Sequence, residues 1–163
     1  MELRKVYQYA LQREFEGKRF FVDNATRLNN AVAANAFKNL AQEEQKHIEF
    51  IQSLIEALEH TGSTQPISAA ELEKAGFFSQ RAVSESLDQT VLEAMVPDLP
   101  VLRMAYLIER DFAEFYETAA ENADGEAHQA LQMLARWERG HEKLFKQFHD
   151  QAFEEYARMP WGG

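Results

Sequence analysis

Apolar side chains recur every three or four residues along four long stretches of this chain, the spacing that gives a helix one buried stripe. From about Leu3 to Leu28 the stripe is carried by Tyr7, Leu11, Phe21 and Leu28, and from about Ala31 to Glu59 by Phe37, Leu40, Ile48, Ile51, Ile55 and Leu58. Leu102, Phe112 and Tyr116 mark a third helix that starts near Pro100, a residue tolerated in a first helical turn, and ends by Asp124-Gly125. Leu131, Leu134, Leu144, Phe145 and Phe148 mark a fourth, from Glu126 to about Ala157, which leaves residues 158–163 as a tail. The positions between are rich in Ala, Leu, Glu, Gln and Lys, all good helix formers, and the whole chain has only 7 Gly and 4 Pro. Asn29-Asn30, whose side chains compete for backbone hydrogen bonds, separates the first two helices, and His60-Thr61-Gly62 stops the second.

The segment from about 62 to 100 is less regular. Ser68 with Glu71 reads as a capping box for a short helix, and a second helical piece is expected over Val83–Met95. Short turns within each helix pair and one long connection between them predict an all-α protein: two antiparallel helical hairpins packed as a four-helix bundle and joined by a crossover. Residues 1–157 form one domain on this reading.

The stripes contain acidic residues where a core should be apolar. Glu14 shares the face of Tyr7 and Phe21, Glu44 and His47 that of Leu40 and Ile51, Glu109 that of Leu102 and Phe112, and Glu138 and His141 that of Leu134 and Phe145. These residues repeat. Ala10-Leu-Gln-Arg-Glu14, with Phe21 seven residues on, corresponds to Ala105-Tyr-Leu-Ile-Glu109, with Tyr116 seven residues on. Leu40-Ala-Gln-Glu-Glu44-Gln-Lys-His47 corresponds to Leu134-Ala-Arg-Trp-Glu138-Arg-Gly-His141. The offset is 95 residues at Glu14 and Glu109 and 94 at Glu44 and Glu138, which describes a duplicated helical hairpin.

Four carboxylates facing inward would repel one another, and burying even one without a partner costs several kcal/mol. The inward faces supply no set of Lys or Arg to neutralise them; Lys18 is the nearest candidate. Two divalent cations would balance the four Glu with both His neutral, so the six residues Glu14, Glu44, His47, Glu109, Glu138 and His141 are the candidate metal ligands. A single Glu-x-x-His is weak evidence, since a solvated helix face produces it by chance. The weight rests on two such motifs, each matched by an inward Glu on the preceding helix. Tyr116 is the candidate catalytic residue: it sets its hydroxyl near the Glu109 carboxylate as a supporting donor, or it simply fills space. Glu43, Glu49, Glu142, Glu154 and Glu155 are expected at the surface. His60, His128 and His149 lack an inward carboxylate at ligand spacing, and Phe15, Phe20, Phe37, Phe112 and Phe115 are expected to pack the core.

Composition narrows the chemistry. At 163 residues, 45% hydrophobic and 27% charged, the chain suits one globular domain. It has no cysteine, which excludes disulfides, thiolate zinc sites and cysteine-ligated iron centres within it. Its formal charge of −10 argues against a nucleic-acid surface. No run of ~18 apolar residues could span a bilayer, and the charged N-terminus lacks the apolar centre of an export signal, so a cytoplasmic location is expected.

At these residues the chain resembles the ferritin-like di-iron carboxylate superfamily, and within it the rubrerythrin family. The resemblance covers all four long helices. It implies that Glu14 and Glu109 each serve one metal, that Glu44 and Glu138 bridge the two, and that His47 and His141 are terminal nitrogen ligands. It implies two iron ions, with manganese or zinc possible, and reduction of hydrogen peroxide or dioxygen with electrons from an external donor such as a rubredoxin or a reductase. A homodimer is the expected assembly. Oxygen-dependent hydroxylation of an organic substrate and non-enzymatic iron binding or storage are the alternatives. Two departures stand out: rubrerythrins of full architecture carry a cysteine-ligated rubredoxin domain, and they place an additional Glu, which exchanges as a ligand with oxidation state, where this chain has Phe112.

Overall fold

Residues 1–60, 72–73 and 78–160 are described in a computed structural model. Helix α1 spans Leu3–Ala25 and α2 spans Ala31–Glu59; two short helices, α3 (Phe78–Ser84) and α4 (Gln89–Met95), lie in the crossover; a 3₁₀ turn at Val96–Asp98 leads into α5 (Leu99–Glu121), and α6 (Gly125–Arg158) completes the bundle. No strand occurs among the described residues. The four long helices pair as two hairpins, α1–α2 and α5–α6, packed into one bundle.

The helix ends show why the boundaries fall where they do. The Asn30 side chain accepts from the backbone N–H groups of Val32 (2.9 Å) and Ala33 (3.1 Å), capping α2. Its amide donates to the Val91 carbonyl, and buried Asp98 accepts from the backbone N–H groups of Asn29 and Asn30, both at 2.8 Å. The first hairpin turn is thereby tied to the end of the crossover. This tie ends α1 at Ala25, three residues before the expected Leu28. The stretch Val83–Met95 is not one helix either. Asp88 accepts from the Val91 N–H at 3.0 Å and starts α4 afresh after α3 has ended. At the second hairpin turn Gly125 has φ +59, a left-handed conformation that favours glycine. The expected capping box at Ser68 and Glu71 lies outside the described residues.

Side chains pack in two apolar layers. One contains Phe21, Phe37, Leu40, Leu102, Leu144 and Phe145, with the Phe21, Phe37 and Phe145 rings within 5.2 to 5.4 Å of one another. The other contains Tyr7, Phe50, Ile51, Tyr116, Leu131, Leu134 and Trp137. Between them lies the acidic layer. The second hairpin is also clamped at its surface, where Arg139 forks onto Glu117 at 2.8 Å and bonds Glu142, which in turn accepts from Arg110. Glu142 is therefore half-buried between two guanidinium groups rather than fully exposed. The apolar stripes loosen where they leave the bundle: Leu58 is 41% exposed, and Phe15 at 47% lies on the surface rather than in the core.

Candidate metal centre

Each of the four long helices carries its inward residues at a spacing of one or two turns, so the bundle stacks them at a single level. The structure brings together all six candidate ligands: Glu14 from α1, Glu44 and His47 from α2, Glu109 from α5, and Glu138 and His141 from α6 are all at most 1% exposed. Their donor atoms fall into two overlapping sets. One is Glu14, Glu44, His47 and Glu138; the other is Glu44, Glu109, Glu138 and His141; within each set the atoms lie within 4.8 Å of one another. Glu44 and Glu138 belong to both sets, the arrangement of two cation positions sharing two carboxylates.

Apart from Glu14, which pairs with His47 Nδ1 at 3.2 Å and takes the Tyr116 hydroxyl, the donor atoms point at common space rather than at partners. Both carboxylate oxygens of Glu44, Glu109 and Glu138, and Nδ1 of His141, accept or donate no aligned hydrogen bond although they are fully buried. His47 Nδ1 lies 2.8 Å from Glu138 Oε1 and His141 Nδ1 lies 2.9 Å from Glu44 Oε1. These distances suit charge attraction but the groups are out of line for hydrogen bonding. Buried oxygens and nitrogens in that state fit a cation, and carboxylates with imidazoles suit iron, manganese or zinc.

Without cations the cluster neutralises itself with protons. Burial, followed by the charges of Glu138 and Glu44, pushes the Glu14 carboxyl well above its ordinary range, and burial with the same two charges does so for Glu109. Burial also pushes Glu44 and Glu138 up, and the Glu138 charge adds to this at Glu44, but the His47 charge and the close His141 imidazole outweigh it, leaving Glu44 lowered and Glu138 well lowered. Burial alone would favour neutral imidazoles, yet the facing carboxylates hold His47 and His141 well above the usual histidine range. Two carboxyls and both imidazoles are thus shifted toward their protonated forms, and the other two carboxyls toward ionisation. Neutral histidines are what two bound divalent cations call for; without them the facing carboxylates favour the protonated imidazoles. Lys18 plays no part in this balance, since its Nζ donates to Gln45 at 2.7 Å.

Three neighbours complete the site. The Tyr116 hydroxyl donates to Glu14 Oε1, across the bundle, and not to Glu109 on its own helix. Tyr116 is 1% exposed, and burial above all holds its hydroxyl protonated, so it remains a donor. Phe112 closes one wall against Gly17, where a Cβ would come 2.8 Å from Phe112 Cε2. A side chain at position 17 would force the Phe112 ring to shift. Gly17→Val is accordingly expected to lower stability by ~1–3 kcal/mol in thermal unfolding, as overpacking of a filled core does, and an unchanged melting temperature would show that the ring moves freely. Third, Glu43 is only 3% exposed and takes the Nε2–H of His141 on its Oε2 at 2.8 Å. Its expected surface position was wrong, as was that of Glu155, which is 8% exposed and accepts from Arg158. A signal for Glu43 exists in the repeat: it stands opposite Trp137, and a charged residue matched to a large aromatic on a core-facing flank marks a position with a partner.

The remaining histidines lie apart from the cluster. His60 contacts the Glu56 carbonyl, His128 the Ala120 carbonyl and His149 the Asp150 carboxylate.

A helical bundle with four buried carboxylates and two imidazoles, one Glu-x-x-His on each of two helices, is the architecture of the ferritin-like metal-carboxylate proteins. A sequence model of the rubrerythrin family matches residues 5–149, nearly the whole chain, and the chain belongs to that family. No curated protein and no solved structure matches it.

Proposed function

We propose that this protein is a di-iron redox protein that reduces hydrogen peroxide or dioxygen with electrons from an external donor such as a rubredoxin or a reductase. The observation that carries the reading is the pair of overlapping ligand sets, both fully buried and sharing Glu44 and Glu138. Glu14, Glu44, His47 and Glu138 would hold one ion, and Glu44, Glu109, Glu138 and His141 the other. When bound, a pair of ferrous ions supplies the two electrons that, with two protons, convert one peroxide to two waters.

The chain's own residues set the conditions for that reaction. Two apolar layers exclude bulk water from above and below, which strengthens every charge interaction in the cluster. Tyr116 holds its proton at Glu14, which fixes that carboxylate's rotamer and keeps a proton one bond away from the site. His141 is oriented by Glu43, with Nδ1 turned inward. With no cysteine among its 163 residues the chain has no cysteine-ligated iron centre to refill the site, which supports an outside electron donor. A homodimer in the cytoplasm is the expected setting; no described helix is long and apolar enough to cross a membrane.

Anaerobic, chemically reduced protein mixed with peroxide tests this directly. One fast oxidation should consume about one peroxide per site by the electron count, then stop until reductant is added. Continued uptake of ferrous iron under oxygen, with accumulation of many irons per chain, would replace the redox reading with storage.

A further inference from the structure

The internal repeat makes the two halves of the site equivalent in their ligands but not in what stands behind them. The residue before the bridging glutamate is Glu43 on α2 and Trp137 on α6, and each reaches across to the histidine of the other half. Trp137 stacks its ring on His47, with centroids 5.1 Å apart and planes at 19°. Glu43 instead accepts the Nε2–H of His141 at 2.8 Å. The same carboxylate accepts the hydroxyl of Ser79 on its Oε2 at 2.9 Å and the Ser79 backbone N–H on its Oε1 at 3.2 Å. Ser79 lies in α3, in the crossover, and is 2% exposed. A continuous buried chain therefore runs from a crossover helix, through Ser79 and Glu43, to the imidazole of one half-site.

We infer that Glu43 and Ser79 are positioning residues for the metal position served by His141, and that they couple its occupancy to the docking of α3. The physical ground is that a carboxylate on the far nitrogen of a ligating imidazole fixes the ring's tautomer and orientation and raises its basicity as a ligand. Here that carboxylate is buried, and Ser79 fills its remaining lone pairs. Removing α3 would leave Glu43 short of donors inside the core, which is costly, and a cation on His141 draws its Nε2–H more firmly onto Glu43. Coupling of this kind is reciprocal: docked α3 favours the metal, and the metal favours docked α3.

The inference rests on the six-ligand reading above, and cobalt(II) separates the two. Wild-type protein, titrated with cobalt(II) and dialysed, should retain two ions per chain; if it retains none, the six-ligand reading fails and takes this inference with it. Given two, Glu43→Leu should lose ~10–100-fold in affinity at one position and keep one ion through dialysis. Glu43→Gln, which can still accept the His141 proton, should restore most of the second ion, and Ser79→Ala should fall between Gln and Leu. Hydrogen exchange of the α3 amides, residues 78–84, should slow on cobalt binding in the wild type but not in Glu43→Leu. Retention of two ions by Glu43→Leu, equal weakening of both positions, or α3 exchange indifferent to cobalt in the wild type would each overturn the inference. If Glu43→Leu does not fold, the Ser79→Ala titration and the wild-type exchange experiment decide it alone.

Discussion

Glu138→Ala is expected to strip the cluster of both metal ions, and Glu44→Ala to do the same, whereas Glu109→Ala should leave one ion bound. The difference follows from membership: Glu44 and Glu138 contribute to both ligand sets, Glu14 and Glu109 to one each. A lost bridging carboxylate removes a donor and a negative charge from each cation at once. The affinity loss at both positions should be at least the ~10–100-fold that loss of a mere supporting partner costs. Metal analysis after dialysis reads the outcome. Loss of a single ion from both bridging variants would show that the cluster holds two independent sites and that neither carboxylate is shared.

The second large effect is the exchange of protons for metal. In the metal-free cluster Glu14, Glu109, His47 and His141 all have a raised affinity for protons. Ligation needs these groups as carboxylates and neutral imidazoles, so loading near neutral pH should release protons, measurable in weakly buffered solution with an indicator dye, and no release would contradict the account. The same shifts set the pH dependence of the metal-free fold. Groups with raised values stabilise the fold fully below their unfolded values, ~4.3 for Glu and ~6.5 for His, and that contribution is lost as pH rises through the folded values. Glu44 and Glu138, with lowered values, act oppositely: their contribution is present above ~4.3 and is lost as pH falls through the folded values. The metal-free bundle should therefore be most stable in mildly acidic solution and should weaken steadily through neutral toward alkaline pH. Excess metal at ~100 times its dissociation constant should restore ~2.7 kcal/mol by mass action. Equal melting temperatures at pH 7 with and without metal, or a metal-free stability that rises from pH 5 to 8, would contradict this account.

Much of the architecture was legible because duplication made it redundant. The ligand spacing appears twice, and polar residues inside an apolar stripe need a physical reason wherever they occur. What the sequence could not supply was anything set by contacts between distant segments. Asp98 ends the first hairpin turn from 68 and 69 residues away. Tyr116 finds its partner on α1 because a tyrosine spans the bundle, a fact of inter-helix distance that sequence spacing along α5 does not contain. Glu43 adjoins a ligand and reads as the solvent side of the same helix until α3 is laid over it and Ser79 supplies the donors.

The central claim is that two cations share one buried site through Glu44 and Glu138. Crystals of protein loaded anaerobically with ferrous iron, measured at the iron absorption edge, test it most directly. The account predicts two anomalous peaks per chain, each within bonding distance of both bridging carboxylates, one beside Glu14 and His47 and the other beside Glu109 and His141. A single peak, or peaks on surface carboxylates with the six-residue cluster bare, would contradict it.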